Sequence, residues 1–199
     1  MVDENGTPVS WAQLTERLRV SPGVPALVLR GDWDNRPPVA EPRHGTFQLT
    51  RMVDGQWLLE EPIGMPKLAG RSEAPSTSSD RRGPVRVGAE GWLREPAGMV
   101  ASPLSWFPNP AETEALELPG RELIAGRGCT RLLVSYSRHS IQRVMLWLDT
   151  EWRLVLAATS YGQAQPGRPR FELRVTEVER ATAGQVTRHS RLARETVSV

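Results

Sequence analysis

The second half of the chain alternates hydrophobic and polar residues in short runs that are separated by turn-forming residues. These runs cover residues 122–125, 130–136, 141–149, 152–161 and 170–179. A period of two residues is typical of β-strands, and strands joined by short turns pair antiparallel. Residues 120–179 therefore predict a meander of four or five antiparallel strands with no helix between them.

Both faces of the central strands are predicted to be covered. One face of residues 141–149 carries apolar side chains at every second position from Val144 to Leu148. The other face carries Met145 and Trp147, which are also apolar. A half-solvated antiparallel strand would instead alternate apolar and polar residues. Either a helix packed on the sheet or a curved sheet around an apolar cavity would cover both faces.

The first half of the chain predicts one helix, one strand and a hairpin. Residues 10–19 have apolar side chains at helical spacing and begin with Ser-x-x-Gln, the pattern of a capping box. Residues 24–33 then predict the first strand. Residues 46–61 predict a hairpin, because they alternate on both sides of an Asp-Gly dipeptide that tolerates the positive φ of tight turns.

An apolar segment without periodicity precedes the meander. Residues 97–110 contain several prolines and four large apolar side chains, Met99, Leu104, Trp106 and Phe107. Burial of one such side chain is worth about 1.5–3 kcal/mol relative to exposure. This segment is therefore predicted to plug, line or cover part of the sheet. Residues 112–118 are expected to add one helical turn after it.

The chain is predicted to form a single domain with a C-terminal extension. Residues 70–83 are polar and serine-rich, which predicts a loop, and residues 84–95 predict a second hairpin. The domain is expected to span residues 1–179. Residues 180–199 are basic and predict a flexible tail.

Length and composition exclude several classes of protein. A chain of 199 residues suits one all-β domain, and it lacks the run of about 20 apolar residues that spans a membrane. The N-terminus is acidic and lacks the pattern of a signal peptide, which predicts a cytoplasmic protein. An exported protein whose leader has been removed is the alternative. The one cysteine, Cys129, excludes an internal disulfide and is expected to be buried.

The charged and titratable residues show no motif for catalysis, metal binding or nucleic-acid binding. The net charge is only +2 and the arginines are scattered, whereas nucleic-acid-binding proteins concentrate them in a patch. The three histidines, His44, His139 and His189, lack metal-ligand spacing and are expected to be exposed. No nucleophile elbow, phosphate-binding loop or dinucleotide fingerprint is present. We therefore predict no metal, no cofactor and no nucleic-acid partner, and catalytic residues stay unknown.

The order of the elements resembles the lipoprotein-carrier superfamily, which includes LolA-like proteins, RseB-type stress sensors and mycobacterial lipid-binding lipoproteins. In that family a Gly-Arg step and an alternating strand precede Trp-Leu-Asp, a turn and Leu-Val-Leu. Here residues 126–127 and 130–134 match the first part, and residues 147–149 and 153–156 match the second. The resemblance covers residues 11–179.

The resemblance implies a mainly β fold and an apolar ligand site. The expected fold is a strongly curved antiparallel sheet that forms an unclosed half-barrel, with short helices plugging its apolar concave face. Its cavity would hold an acyl chain or another hydrophobic ligand. Six residues are predicted to bind the ligand: Trp106, Phe107, Arg131, Tyr136, Met145 and Trp147. Arg131 is expected to anchor a ligand carboxylate inside the curve, because arginine binds carboxylates in a bidentate manner.

Three functions are compatible with the sequence. The first is a cytoplasmic binding protein or carrier for a lipid, an acyl chain or a polyketide-like molecule. The second is a cofactor-free enzyme of natural-product biosynthesis that cyclises or rearranges a substrate by proximity and shape. The third is an RseB-like regulator that binds a protein partner through a sheet edge or the loop at 70–83. The second function needs no catalytic motif, so the absence of one does not count strongly against it.

Overall fold

The computed structural model describes residues 5–21, 23–36, 41–61, 63, 66–71, 98–101, 103–107, 110–136, 142–161 and 169–197. Within these ranges the strands are β1 (Thr7–Val9), β2 (Leu27–Asn35), β3 (Arg43–Arg51), β4 (Gln56–Glu60), β5 (Pro66–Arg71), β6 (Thr113–Ile124), β7 (Arg127–Tyr136), β8 (Gln142–Asp149), β9 (Val155–Tyr161) and β10 (Pro169–Arg180). The α-helices are α1 (Trp11–Leu18), α2 (Gly98–Ala101) and α3 (Ala183–Val197), and two 3₁₀ helices span Pro103–Trp106 and Pro110–Glu112. The predicted hairpin at 84–95 and most of the predicted loop at 70–83 lie outside the described residues.

All ten of these strands belong to one antiparallel sheet, in the order β1-β6-β7-β8-β9-β10-β2-β3-β4-β5. The run from β6 to β10 is the predicted meander, in which each strand pairs with the next. Strand β2 pairs with β10 and β3 and so joins the meander to the N-terminal hairpin. The sheet is not closed into a barrel, and β1 and β5 are its two end strands. The predicted mainly β class with a few short helices is confirmed.

The sheet is strongly curved. Strands β6 and β10 have Cα atoms within 8 Å of each other, although β7, β8 and β9 lie between them in the sheet. Four steps across a flat sheet would separate them by about 19 Å, because neighbouring strands lie about 4.8 Å apart. Helix α2 has only four residues and yet contacts β9, β3 and β4. It therefore lies on the concave face.

Interruptions of the strand register help the sheet to bend. One register shift falls between Leu118 and Arg121, and another between Val175 and Glu177. Such bulges bend a strand and increase its twist. Val175 pairs with Gly31, where a Cβ atom would lie 2.3 Å from the carbonyl oxygen of Arg174. Only glycine lets the backbones approach this closely.

The concave face is apolar along most of its length. At one end, Leu29, Leu49 and Leu59 lie in one row across three strands and pack with Val100 of α2. At the other end, the core contains residues of the meander, of α1, of α2 and of the segment after α2; these include Leu14, Leu18, Met99, Phe107, Leu132 and Leu146. The short helices thus pack onto the inside of the curve, as the resemblance implies.

Helix α1 forms as the sequence predicts. The hydroxyl of Ser10 accepts a hydrogen bond from the backbone N–H of Gln13 at 3.3 Å. The side-chain oxygen of Gln13 accepts one from the backbone N–H of Ser10 at 2.8 Å. These two bonds complete the capping box. Leu14 and Leu18 are the buried apolar side chains of the helix and join the concave core.

The segment before the meander is buried as predicted, but its end differs from the prediction. All four residues of α2 are buried, and Phe107 is 2% exposed. The helical turn predicted for residues 112–118 is wrong, because β6 already begins at Thr113. Residues 115–117 pair with β1 on one side and β7 on the other, and Ala115 faces the core. Two ladders of backbone hydrogen bonds therefore outweigh the local helical tendency.

The flexible tail predicted for residues 180–199 is instead largely helix α3. Thr182 and Gln185 form a second reciprocal cap, in which each side chain accepts from the backbone N–H of the other. Helix α3 contacts β4 and β5. Arg188 binds the carboxylate of Glu60 at 2.5 Å, and Gln48 donates to the same carboxylate at 2.6 Å. Gln48 and Glu60 alternate with core residues, so α3 lies on the convex face.

The prediction that His189 is exposed is also wrong. His189 lies on α3, is 2% exposed, and has no hydrogen-bond partner at either ring nitrogen. Burial lowers its pKa from the ordinary value, and the carboxylate of Asp54 opposes this shift in part. A buried, neutral imidazole therefore holds part of the contact between the helix and the sheet.

Acidification should destabilise the fold through His189. Its pKa is about 6.5 in an unfolded chain and lower in the folded protein, so the unfolded state binds the proton more readily below about pH 6.5. The free energy of unfolding should therefore fall as the pH drops from about 6.5 through the lower, folded pKa. Urea unfolding between pH 7 and pH 5 measures this, and His189→Leu should remove this part of the pH dependence. His44→Leu, at an exposed position, is the control, and the same pH profile in His189→Leu as in the wild type would contradict the assignment.

Candidate functional site

The concave face beneath α2 and the following 3₁₀ helix contains two of the six predicted ligand-binding residues. Phe107 is buried among meander residues such as Leu132 and Leu146. Trp106 is half-buried, and its ring meets that of Phe171 edge to face, with the ring centroids 5.2 Å apart. The indole nitrogen of Trp106 is buried and has no hydrogen-bond partner. Trp106 thus forms the outer edge of this apolar region.

Three other predicted residues lie on the opposite, convex face. Arg131 pairs with Trp147, and Leu133 pairs with Met145. The intervening pair, Leu132 and Leu146, points to the concave core. Together with Leu118, the side chains of Leu133 and Met145 form a small buried cluster that we call the convex patch. The backbone of Tyr136 belongs to β7, but its side chain is outside the described residues.

Arg131 is bound by its own chain on the convex side. One guanidinium nitrogen lies 3.3 Å from the carboxylate of Glu122, and another donates to the backbone carbonyl of Pro119. Trp147 donates its indole N–H to the same carboxylate of Glu122 at 2.8 Å. These contacts hold Arg131 outside the curve, where it had been expected inside. The structure therefore divides the predicted residues between two faces, and their role in ligand binding stays a prediction.

One residue that the sequence analysis did not select stands out on the concave face. Arg51 ends β3 and lies in register between Leu27 and Trp57, both of which belong to the concave core. Arg51 is 8% exposed, its Nε atom is buried without a hydrogen-bond partner, and no ion pair joins it to a described carboxylate. Burial lowers the pKa of Arg51, and Asp54 opposes this shift. The sequence could have identified Arg51, because it continues the alternation of Phe47 and Leu49 and so falls on the same face as these two apolar residues.

The chemistry of the remaining candidates is limited. Cys129 is buried as predicted, and its burial, with a smaller contribution from Asp149, raises the pKa of the thiol to about 11. Within the described ranges, no three side chains of His, Cys, Asp or Glu come together as a metal site would require. In the same part of the chain, no helix combines the length and the apolar character needed to cross a membrane.

Comparison with solved structures identifies the fold. The chain is similar to MucB, with a TM-score of 0.54 and 14% identity, over 86% of this chain and 59% of MucB. A Pseudomonas aeruginosa MucA/MucB complex matches with a TM-score of 0.41 and 15% identity, over 87% of this chain and 57% of that chain. A LolA superfamily protein from Nitrosomonas europaea matches with a TM-score of 0.33 and 12% identity, over 87% and 94% of the two chains. No protein-family model and no curated protein matches the chain.

The likeness to MucB confirms the predicted resemblance at the level of the fold. MucB is an RseB-like protein, and the match to it includes most of this chain. The chain covers 59% of the length of MucB. At 14% identity the comparison establishes the fold alone. Function must therefore be argued from the two faces of the sheet.

Truncation of Phe107 should test whether the segment after α2 is part of the concave core. Phe107→Ala should lower the free energy of unfolding by about 3–5 kcal/mol, the usual cost of deleting a buried aromatic ring. Leu123→Ala is the control, because Leu123 is 71% exposed and its truncation should change stability by less than about 0.5 kcal/mol. Urea unfolding of the two variants measures both values. Equal, small effects would show that the segment does not pack on the sheet.

Cys129 should be unreactive in the folded protein. With a pKa of about 11 and a buried side chain, it is a protonated, inaccessible thiol at pH 8. Iodoacetamide should therefore modify it only after the protein is unfolded in urea, as mass spectrometry would show. Rapid modification of the native protein would contradict this description of the site.

Proposed function

We propose that this protein binds a hydrophobic small molecule against the concave face of its sheet and carries it unchanged. The proposal is based on one observation, the shortness of the helices that cover that face. Instead of a second sheet or a long helix, the described cover includes a four-residue helix and a short 3₁₀ helix, Pro103–Trp106. An isolated helix shorter than about 12 residues is barely stable in water. The cover is therefore held by the burial of its side chains rather than by its own hydrogen bonds.

A cover of this kind can be exchanged for a ligand. Met99 and Phe107 fill the space that an acyl chain would occupy, because both pack against the concave core. Each methylene group that replaces them would regain about 0.8 kcal/mol on burial. Displacement of the segment by a lipid, an acyl chain or a polyketide-like molecule would thus leave the concave face covered. The cytoplasmic setting and a place in natural-product biosynthesis stay predictions.

Protein binding is a second candidate function. MucB, whose fold this chain shares, has been solved in complex with MucA. In this chain the end strand β1 has only three residues and pairs with β6 on one side. A partner strand could add to such an edge through backbone hydrogen bonds. A regulator of this kind would bind its partner whether or not the concave face holds a ligand.

Native mass spectrometry of the protein purified from its own host, followed by organic extraction, tests the carrier proposal. A hydrophobic molecule should accompany the folded protein and should be recovered unchanged after re-incubation with it. Conversion of that molecule would instead support the cyclisation hypothesis. A mass equal to that of the chain alone, together with a co-purifying protein, would support the regulator.

Two truncation variants, one on each face of the sheet, locate the site. Trp106→Ala, at the edge of the concave core, should weaken ligand binding by roughly tenfold, the effect of losing one aromatic contact. Met145→Ala truncates a buried side chain of the convex patch and should leave the affinity unchanged. Titration of both variants with the extracted ligand or with dodecanol measures this. The reverse pattern would move the site to the convex patch.

A further inference from the structure

Arg51 is an isolated charge inside the concave core. Its neighbours in register are Leu27 on β2 and Trp57 on β4, and the preceding residue on the same face is Leu49. All three belong to the apolar cluster that also contains Val100 of α2. A guanidinium group taken out of water is very costly unless it is paired and hydrogen-bonded. Nothing in the described part of the chain pairs with this one.

A second unused donor lies directly beside Arg51. Trp57 is 2% exposed, and its indole nitrogen is buried without a hydrogen-bond partner. Cross-strand partners have Cβ atoms about 4.5–5.5 Å apart, so the side chains of Trp57 and Arg51 start from neighbouring positions on the same face of the sheet. The Nε atom of Arg51 is likewise buried and unpartnered. Both groups donate hydrogen bonds and neither accepts them, so the missing partner must be an acceptor.

The charges around Arg51 favour an anion as that acceptor. The carboxylate that acts on Arg51 is that of Asp54, which is exposed in the turn after β3 and forms no ion pair with it. Elsewhere on the sheet, partly buried arginines such as Arg30 and Arg127 have carboxylate partners, Glu177 and Asp149. Arg51 is thus a cation whose counter-charge the described residues do not supply.

We propose that Arg51 and Trp57 form a binding site for the anionic head of the ligand, a carboxylate or a phosphate attached to one apolar chain. This inference rests on the carrier function proposed above. The guanidinium would donate hydrogen bonds to two oxygens of the head group. The indole N–H would donate a further hydrogen bond to an oxygen of the same group. The apolar chain of the ligand would then run along the concave face beneath α2, which contacts both β3 and β4.

Three probes with the same alkyl chain separate the contribution of the head group to affinity from that of the alkyl chain. Dodecanoate and dodecyl phosphate carry the two anionic heads, and dodecanol carries a neutral one. Isothermal titration of the wild type should give a preference of roughly tenfold to a hundredfold for an anionic probe over dodecanol, as expected for hydrogen bonds to a charged group. Which of the two anions binds more tightly identifies the head group. Inorganic phosphate alone should bind far more weakly than dodecyl phosphate.

Matched variants assign the preference to Arg51. Arg51→Met keeps the length of the side chain and removes its charge, so the affinity for the anionic probe should fall to that for dodecanol. Arg174→Met removes an exposed arginine from β10 and should keep the preference. Arg51→Lys should restore part of it, and Trp57→Phe should weaken anion binding while dodecanol binding stays the same. The melting temperature of ligand-free Arg51→Met should equal or exceed that of the wild type, because a buried unpaired charge has been removed.

The outcomes that overturn the proposal are distinct from those that overturn the carrier function. If none of the three probes binds the wild type, both fail. If dodecanol binds as tightly as the anions, or if Arg51→Met keeps the preference, the carrier function stands and the anionic site is wrong. If inorganic phosphate binds as tightly as dodecyl phosphate, the proposed site is also wrong, because the alkyl chain would then contribute nothing to the affinity. A clear fall in the melting temperature of Arg51→Met would show that the fold itself uses Arg51.

Discussion

The curvature of one antiparallel sheet determines the rest of this structure. A curved sheet with an apolar concave face must cover that face, because apolar surface is unstable in water and the described strands form no second sheet. In this protein α1, α2 and the segment around Phe107 provide the described cover. The sheet supplies the rigid frame, and β6 and β10 approach each other only because it curls. The short cover is the part with the least secondary structure of its own, and the ligand site proposed above lies beneath it.

The two faces of the sheet differ in whether their charged side chains have partners. On the convex face, Arg30 binds Glu177 and Glu179, and the buried carboxylate of Glu60 accepts from Gln48 and from Arg188 of α3. Exposed ion pairs add little stability, but a carboxylate that is 1% exposed needs its partners. On the concave face, by contrast, Arg51 has no such partner among the described residues. Arg30 and Arg188, which form ion pairs within the protein, therefore lie on the convex face, and the arginine proposed to bind a ligand lies on the concave face.

The sequence was sufficient for elements that local patterns determine, and insufficient where the result depends on distant contacts. The capping box of Ser10 and the alternation of the meander predicted α1 and five strands. Thr182 begins a similar Thr-x-x-Gln pattern, but the basic residues after it predict a flexible tail. Alternation also shows that Arg131 and Leu132 point to opposite faces, but it does not say which face is concave. That depends on the bulges and on where α2 packs, which bring together residues far apart in the chain.

The most direct test of the account is the face of the sheet that a bound chain contacts. Met99 lies in the concave core and Met145 in the convex patch, so their methyl groups mark the two faces. Nuclear Overhauser contacts between dodecanoate and methionine methyl groups labelled with carbon-13 would distinguish them. We expect contacts, or a large chemical-shift change, at Met99 and none at Met145. Contacts confined to Met145 would contradict it and would place the ligand on the outside of the curve.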